Sequence, residues 1–282
     1  MGWLTRIIPG VRGKNKQGIP DGVWQQCKGC QAPIYLPDMI NNLWVCPKCG
    51  HHAGIRARVR LLNFLDEDSA VFFAEDIVSE DILGFTDLKP YTTRIKNANS
   101  TIEETAALLV AKGFLKGQPV VAAAFEFNYI GGSMDRAVGE RFRLAVESAI
   151  EQRCPFICFS ASGGARMQEG VYSLLQMSKT AAVLKQLAEH HLPYISILCH
   201  PTTGGVAASL SMLGDVIIAE PGALIGFTGP RVIEQTVKQK LPKGFQRSEF
   251  LFKQGHIDKI VHRHQLADMI SNILKKLLPH DA

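Results

Sequence analysis

From about Gln118 onward the chain alternates short apolar runs with stretches in which apolar residues return every three or four positions. Gln118 to Tyr129 (QPVVAAAFEFNY), Phe156 to Phe159, Pro193 to Cys199 (PYISILC) and Val216 to Ala219 predict strands. Arg136 to Gln152 predicts a helix with Val138, Phe142, Val146, Ala149 and Ile150 on one face. Met167, Val171, Leu174, Leu175 and Met177 recur at spacings that suit another helix, and VAASLSML predicts a third. A turn at Pro221-Gly222, a short strand through Leu224 to Gly226, and helices near Val232 to Lys238 and Leu266 to Leu278 complete the chain. Such alternation argues for α/β layering. Upstream, an acidic, turn-rich region from Leu65 to Tyr91 reads as irregular, with a helix expected around Ile102 to Ala111 behind a Ser100 or Thr101 cap. No repeat at a solenoid period and no low-complexity tract interrupts this order.

Two of the strand-to-helix joints carry a Gly-Gly pair, Gly163-Gly164 and, some forty residues on, Gly204-Gly205. Without Cβ atoms these residues let a ligand approach the main chain, and N–H groups at a helix start carry partial positive charge. An anion, or an oxygen becoming one, would be stabilised there. The alternative is that the glycines merely let helices pack close to a sheet. A third pair, Gly131-Gly132, marks the turn before the helix at Arg136.

At 282 residues, 46% hydrophobic and 20% charged, the chain holds one large or two unequal domains with ample core. Its net charge of +5 is unevenly spread: residues 1–62 contain nine Lys or Arg and two Asp, so the remainder is slightly acidic. A basic N-terminal module fits an acidic partner or polyanion, or simply a solvated surface. The basic start lacks the apolar core of a signal peptide, and no apolar run is long enough to span a membrane, so a cytoplasmic protein is expected. Met-Gly at the start lacks the Ser or Thr of a myristoylation signal, with Arg6 in that place.

Cys27, Cys30, Cys46 and Cys49 form two Cys-x2-Cys knuckles separated by fifteen residues. Four thiolates in this spacing suit one tetrahedral Zn²⁺, which would be structural because no coordination position stays open. Two disulfides are the alternative, disfavoured without a secretion signal. Cys154, Cys158 and Cys199 lie in or beside apolar strands and read as buried, inert thiols. Cys199 and His200 are strand neighbours and point to opposite faces, which argues against a nucleophile and base in contact.

The segments VVAAAFEFNYIGGSM, ICFSASGGARMQEG, PTTGGVAASLSMLGD and ALIGFTGPRVIEQTV, behind the four-cysteine ribbon, resemble the beta subunit of bacterial acetyl-CoA carboxylase carboxyltransferase. The likeness runs from about Trp24 to the C-terminus. It implies a basic tail over 1–22, a zinc ribbon over 23–55 and, over 56–282, a crotonase-like domain of spiralling strand-strand-helix units. It implies transfer of a carboxyl group from carboxybiotin, borne by a biotin carboxyl carrier protein, to acetyl-CoA, giving malonyl-CoA for fatty acid biosynthesis. The partners implied are an alpha subunit in an alpha2beta2 heterotetramer, the carrier protein and biotin carboxylase. On this reading the amides of Gly204 and Gly205 stabilise the acyl-CoA enolate, Gly163 and Gly164 shape the pocket or donate as well, Gly131, Gly132 and Ser133 line a CoA channel, and Arg166 meets a phosphate. Arg166 reads equally as a packing or salt-bridge residue.

Two other functions stay open. A free-standing crotonase-type hydratase or isomerase would need carboxylates over the substrate, and Glu169 is the only acid beside the first glycine pair. A nucleic-acid-binding module on the basic ribbon would work mainly through backbone charge, because its aromatics are few (Trp24, Tyr35, Trp44).

Overall fold

The computed structural model describes residues 23–278, which divide into two compact units between Ile55 and Arg56. The basic tail expected over 1–22 lies outside the described residues. The first unit is small. Strands β1 (Trp24–Gln26) and β2 (Pro33–Tyr35) pair antiparallel and lead into helix α1 (Leu36–Asn41). Among the described residues its buried apolar cluster is Cys27, Ile34, Met39 and Cys46, with Ala32, Trp44 and Ala53 packed against it, too little to hold a fold by burial alone.

The second unit is built on an eight-stranded mixed sheet. Its elements are α2 (Ala57–Phe64), β3 (Val71–Phe73), α3 (Tyr91–Ile102), β4 (Leu108–Leu115), β5 (Gln118–Phe125), α4 (Arg136–Glu151), β6 (Phe156–Ser162), α5 (Val171–Glu189) and β7 (Tyr194–Thr203). Then come α6 (Gly204–Val206), continued by a π turn over Ala207–Ser211, β8 (Val216–Ala219), β9 (Ile225–Gly226), α7 (Pro230–Val237), α8 (Ser248–Lys253), β10 (Lys259–Ile260) and α9 (Leu266–Leu277). The strand order is β10-β8-β7-β6-β5-β4-β3, with β9 alongside the end of β7. Strands β5 to β8 run parallel in sequence order, and β3, β4 and β5 run antiparallel.

Both faces of this sheet are covered, which is why its strands read as unbroken apolar runs. Along β6, Phe156 and Cys158 join the core beneath α4 and α5, while Ile157 and Phe159 join the core beneath α2 and α9. Val138, Phe142, Val146 and Ala149 of α4 are buried in the first of these layers. Asp135 caps α4, its Oδ1 accepting the Val138 N–H at 2.8 Å.

The expected helix over Ile102 to Ala111 is not formed. The helix instead ends at Ile102, and Leu108–Leu115 is strand β4 in an antiparallel hairpin with β5. The hairpin turns at Lys116 (φ 50°) and Gly117 (φ 78°), and this pairing overrides the local helix preference of Ala, Leu and Glu.

Helix α5 begins at Val171, after a 3₁₀ turn that holds Met167. Met167 in the turn and Val171, Leu174 and Leu175 in the helix face outward, each more than half exposed. Its inward face carries Ser173, Gln176 and Thr180 before Val183, Leu184 and Leu187 take over.

Candidate functional site

In the first unit the four knuckle thiols lie within 4.8 Å of one another. The two closest pairs join the knuckles, Cys27 Sγ to Cys49 Sγ at 3.7 Å and Cys30 Sγ to Cys46 Sγ at 4.0 Å. A tetrahedral ion with bonds of about 2.3 Å to sulfur sets its ligands about 3.8 Å apart, so these thiols fit a metal such as zinc. Burial raises the Cys27 thiol, but backbone N–H groups of Cys30 and Gly29 and the neighbouring thiols outweigh it and bring it to about 7. The remaining cysteines behave oppositely: burial pushes Cys154 up to about 11 and Cys158 and Cys199 up to about 12. Cys199 is buried while His200 is exposed, so no thiolate nucleophile stands there.

In the second unit the parallel pairing of β6 with β7 brings the two glycine turns together at the carboxyl ends of the strands. Thr202 Oγ1 donates to Ser160 O and Thr203 Oγ1 to Ser162 O, stitching one turn to the other. The contact is closest between Gly164 and Gly204. An ideal Cβ on Gly204 would sit 2.8 Å from Gly164 Cα, and one on Gly164 would sit 3.2 Å from Gly205 N. Both have positive φ, +116° and +64°, so only glycine serves at these two positions. Only the second turn opens directly into a helix, α6. After the first, an extended Arg166 and a 3₁₀ turn over Met167–Glu169 intervene before α5 begins at Val171. The first turn therefore does not itself begin a helix.

Hydrogen bonds sort the glycines further. Gly163 N–H donates to Gly131 O at 2.9 Å, Gly164 N–H to Ser162 Oγ at 3.0 Å, and Gly204 N–H to Phe227 O at 2.9 Å. Gly205 N–H has no acceptor among the described residues, and neither has Ala165 N–H in the facing turn. The two lie close, since an ideal Cβ on Gly205 would stand 3.5 Å from Ala165 N. Sequence reasoning passes over Ala165. The signal would have been its place after the glycines, where the strand has ended and no helix has begun. Gly132 is buried with its Cβ position 2.2 Å from Ala161 O, so it serves the close approach of two backbones.

Beneath the first turn lies a buried polar network. Arg166 is fully buried: its Nη1 donates to Asp135 Oδ2 at 2.7 Å and to Tyr91 Oη at 2.8 Å, its Nε to Ser133 Oγ at 2.6 Å and its Nη2 to Ser133 O at 2.7 Å. These bonds place Arg166 in a hydrogen-bond and salt-bridge network made of the chain's own groups. Its guanidinium is already occupied, and it ties the Ser133 and Asp135 segment to the glycine turn. Ser133 is drawn into the same network. Glu169 is 1% exposed and accepts from Tyr91 Oη and from the Arg136 N–H. Burial, and then the charge of Asp135, hold its carboxyl above the usual carboxylate range. With both oxygens engaged, it cannot serve a substrate as a hydratase acid would.

These features define a class first: a mixed α/β, crotonase-like fold that presents backbone amides from two abutting turns, with a four-cysteine cluster in a separate small unit. Residues 83–252 match the carboxyl transferase domain family, and the chain belongs to it. Among solved structures it is similar to transcarboxylase 12S, a hexameric multienzyme core bound to methylmalonyl-coenzyme A, with 26% identity and a TM-score of 0.66. That match covers 80% of this chain and 42% of the other, so the chain spans less than half the length of that relative. It is also similar to a Pseudomonas malonate decarboxylase heterodimer at 23% identity, TM-score 0.61, over 80% of this chain and 88% of that one. A single-chain, multi-domain long-chain acyl-CoA carboxylase matches at 18% identity, TM-score 0.63, over 84% of this chain and 23% of the other. The last two bear on the fold alone. No helix among the described residues is long and apolar enough to cross a membrane.

Proposed function

We propose that the chain is the beta-type carboxyltransferase subunit of an acetyl-CoA carboxylase, which passes a carboxyl group from carboxybiotin on a carrier protein to acetyl-CoA. The observation that carries this reading is the pair of unoccupied amides, Gly205 N–H and Ala165 N–H, set close together by the Gly164–Gly204 contact. Loss of a proton from the acetyl methyl group places negative charge on the thioester oxygen. Two preorganised donors at that oxygen lower the barrier most when the charge is greatest. Gly204, Gly163 and Gly164 then act as the walls that hold those donors, because their own N–H groups are occupied. Gly131, Gly132 and Ser133 border the same turn through the Gly163 N–H bond to Gly131 O. Biotin, once decarboxylated, supplies the base, so no side-chain triad is needed in this chain.

The outward apolar face of α5 supports a partner. Met167, Val171, Leu174 and Leu175 begin two residues past Ala165, and an exposed apolar stripe of this kind marks a protein interface. We assign to it an alpha-type subunit of the same fold that completes the biotin side of the site, in an alpha2beta2 assembly. The four-cysteine unit holds one zinc ion on this reading, with Cys27, Cys30, Cys46 and Cys49 as its ligands. The ion closes a unit that has little core of its own.

The test is reconstitution. The chain, purified with and without the alpha-type partner, is supplied with carboxybiotin and acetyl-CoA, and malonyl-CoA is followed. Activity only in the pair is expected, and an inactive pair refutes the reading.

A further inference from the structure

Because Arg166 is buried and fully engaged, a CoA ester at the two turns must find cations for its phosphates elsewhere. Two cavities lie in the same unit, and neither offers a cluster of unpaired cations. One, of about 200 Å³, is mostly apolar, with Ala207, Met212, Ile225, Phe227 and Leu251 in its wall and His256 as its one titratable side chain. The other, of about 290 Å³, holds Arg136 and Lys179 but also Asp76, Glu80 and Glu140, and Lys179 Nζ is already paired with Glu140 at 3.0 Å.

The segment that leaves the wall of the donor turn is different. Phe227, whose carbonyl holds the Gly204 N–H, is followed by α7 and then by an irregular stretch to Arg247. From Arg231 to Arg247 the sequence carries five Lys or Arg and one Glu, in a chain otherwise slightly acidic outside its N-terminal module. Lys238, Lys240 and Lys243 are exposed, and none makes an ion pair among the described residues. The one acid, Glu234, accepts the Leu241 N–H at 3.0 Å and offsets only one of the five positive charges. Helix α7, eight residues and so about 12 Å long, separates Phe227 from these lysines along the chain, and Gln246 returns to Ile225 beside the end of β7.

We propose that Lys238, Lys240 and Lys243 bind the nucleotide phosphates of the acyl-CoA substrate. The proposal rests on the acyl-CoA reading of the glycine turns. Solvent-exposed ammonium groups attract a multiply charged anion over a Debye length, about 8–10 Å at ordinary salt, and hold it weakly enough to release product.

The test compares two acyl donors in the reconstituted enzyme, acetyl-CoA and acetyl-pantetheine, which lacks the phosphates. The triple variant K238A/K240A/K243A is expected to raise KM for acetyl-CoA by about ten-fold, as three screened charge contacts allow, with KM for acetyl-pantetheine and the melting temperature unchanged. The wild-type KM for acetyl-CoA should also rise with salt, and the variant's should not. An unchanged KM for acetyl-CoA, or an equal rise for both donors, overturns the proposal. So does a variant that keeps its KM but loses retention on heparin, which would assign the lysines to a polyanion. Failure of the wild-type enzyme to use either donor would refute the acyl-CoA reading itself, a distinguishable result.

Discussion

Replacing Gly205 by Val separates donation from packing at the two turns. Gly205 has an ordinary φ, so an L-residue is not strained there, and its Cβ would meet Met177 Sδ at 3.1 Å and Ala165 Cβ at 3.4 Å. Met177 is unbranched and only partly buried, so it can yield by the few tenths of an ångström required. The added methyl groups would instead fill the space in front of the Gly205 and Ala165 amides. Losing one preorganised donor costs about 2.7–4 kcal/mol, a fall of about 10²–10³ in turnover. Gly204→Val is the control: its Cβ would stand 2.8 Å from Gly164 Cα at a φ of +64°, and this backbone cannot yield as a side chain does. Steady-state malonyl-CoA formation by the reconstituted pair, read beside thermal melts, distinguishes the two. Gly205→Val should melt near wild type and turn over at least one hundred-fold more slowly, by the donor magnitude above, while Gly204→Val should lose stability first. Normal turnover by a folded Gly205→Val enzyme would refute the donor assignment.

Three further outcomes are expected. Leu174→Asp with Leu175→Asp should leave the isolated chain folded, since both positions are exposed, and weaken association with the alpha-type partner by at least about ten-fold in sedimentation or size-exclusion titration. Metal analysis should find one zinc per chain, lost in Cys27→Ser, and chelation should melt the first unit. Glu169 has a folded-state pKa above its unfolded value, so the folded protein binds the extra proton. Stability then falls as pH rises from the unfolded carboxylate pKa, about 4.3, toward the raised one, and is flat beyond it. Glu169→Gln should abolish that fall in denaturant titrations across the acid range.

The parallel half of the sheet was open to reading because strands covered on both faces are apolar throughout, and α4 shows its buried stripe plainly. Helix α3 was not, because YTTRIKNANSTI buries only Tyr91, Ile95 and Ile102 and offers little periodicity. Strand β4 is built from good helix formers, and only its hairpin with β5 makes it extended. The spacing of Leu174 and its neighbours marks a helix face but not what covers it, and that face is exposed. At the site, the glycines could be found by composition, but which amides remain unoccupied depends on acceptors such as Phe227 O and Ser162 Oγ. Those are brought up by the fold from elsewhere in the chain. The same holds for Arg166, whose burial follows from Asp135 and Tyr91.

The mutual contact of the two turns has a consequence for how such a site can diverge. Gly164 and Gly204 each form the wall against which the other rests, so neither position can drift alone, and a change at one would have to be matched by a change at the other at the same time. Selection for a different acyl group is thus steered away from the donors and onto the surfaces around them. Engineers seeking new donors should leave this glycine joint untouched and vary its surroundings.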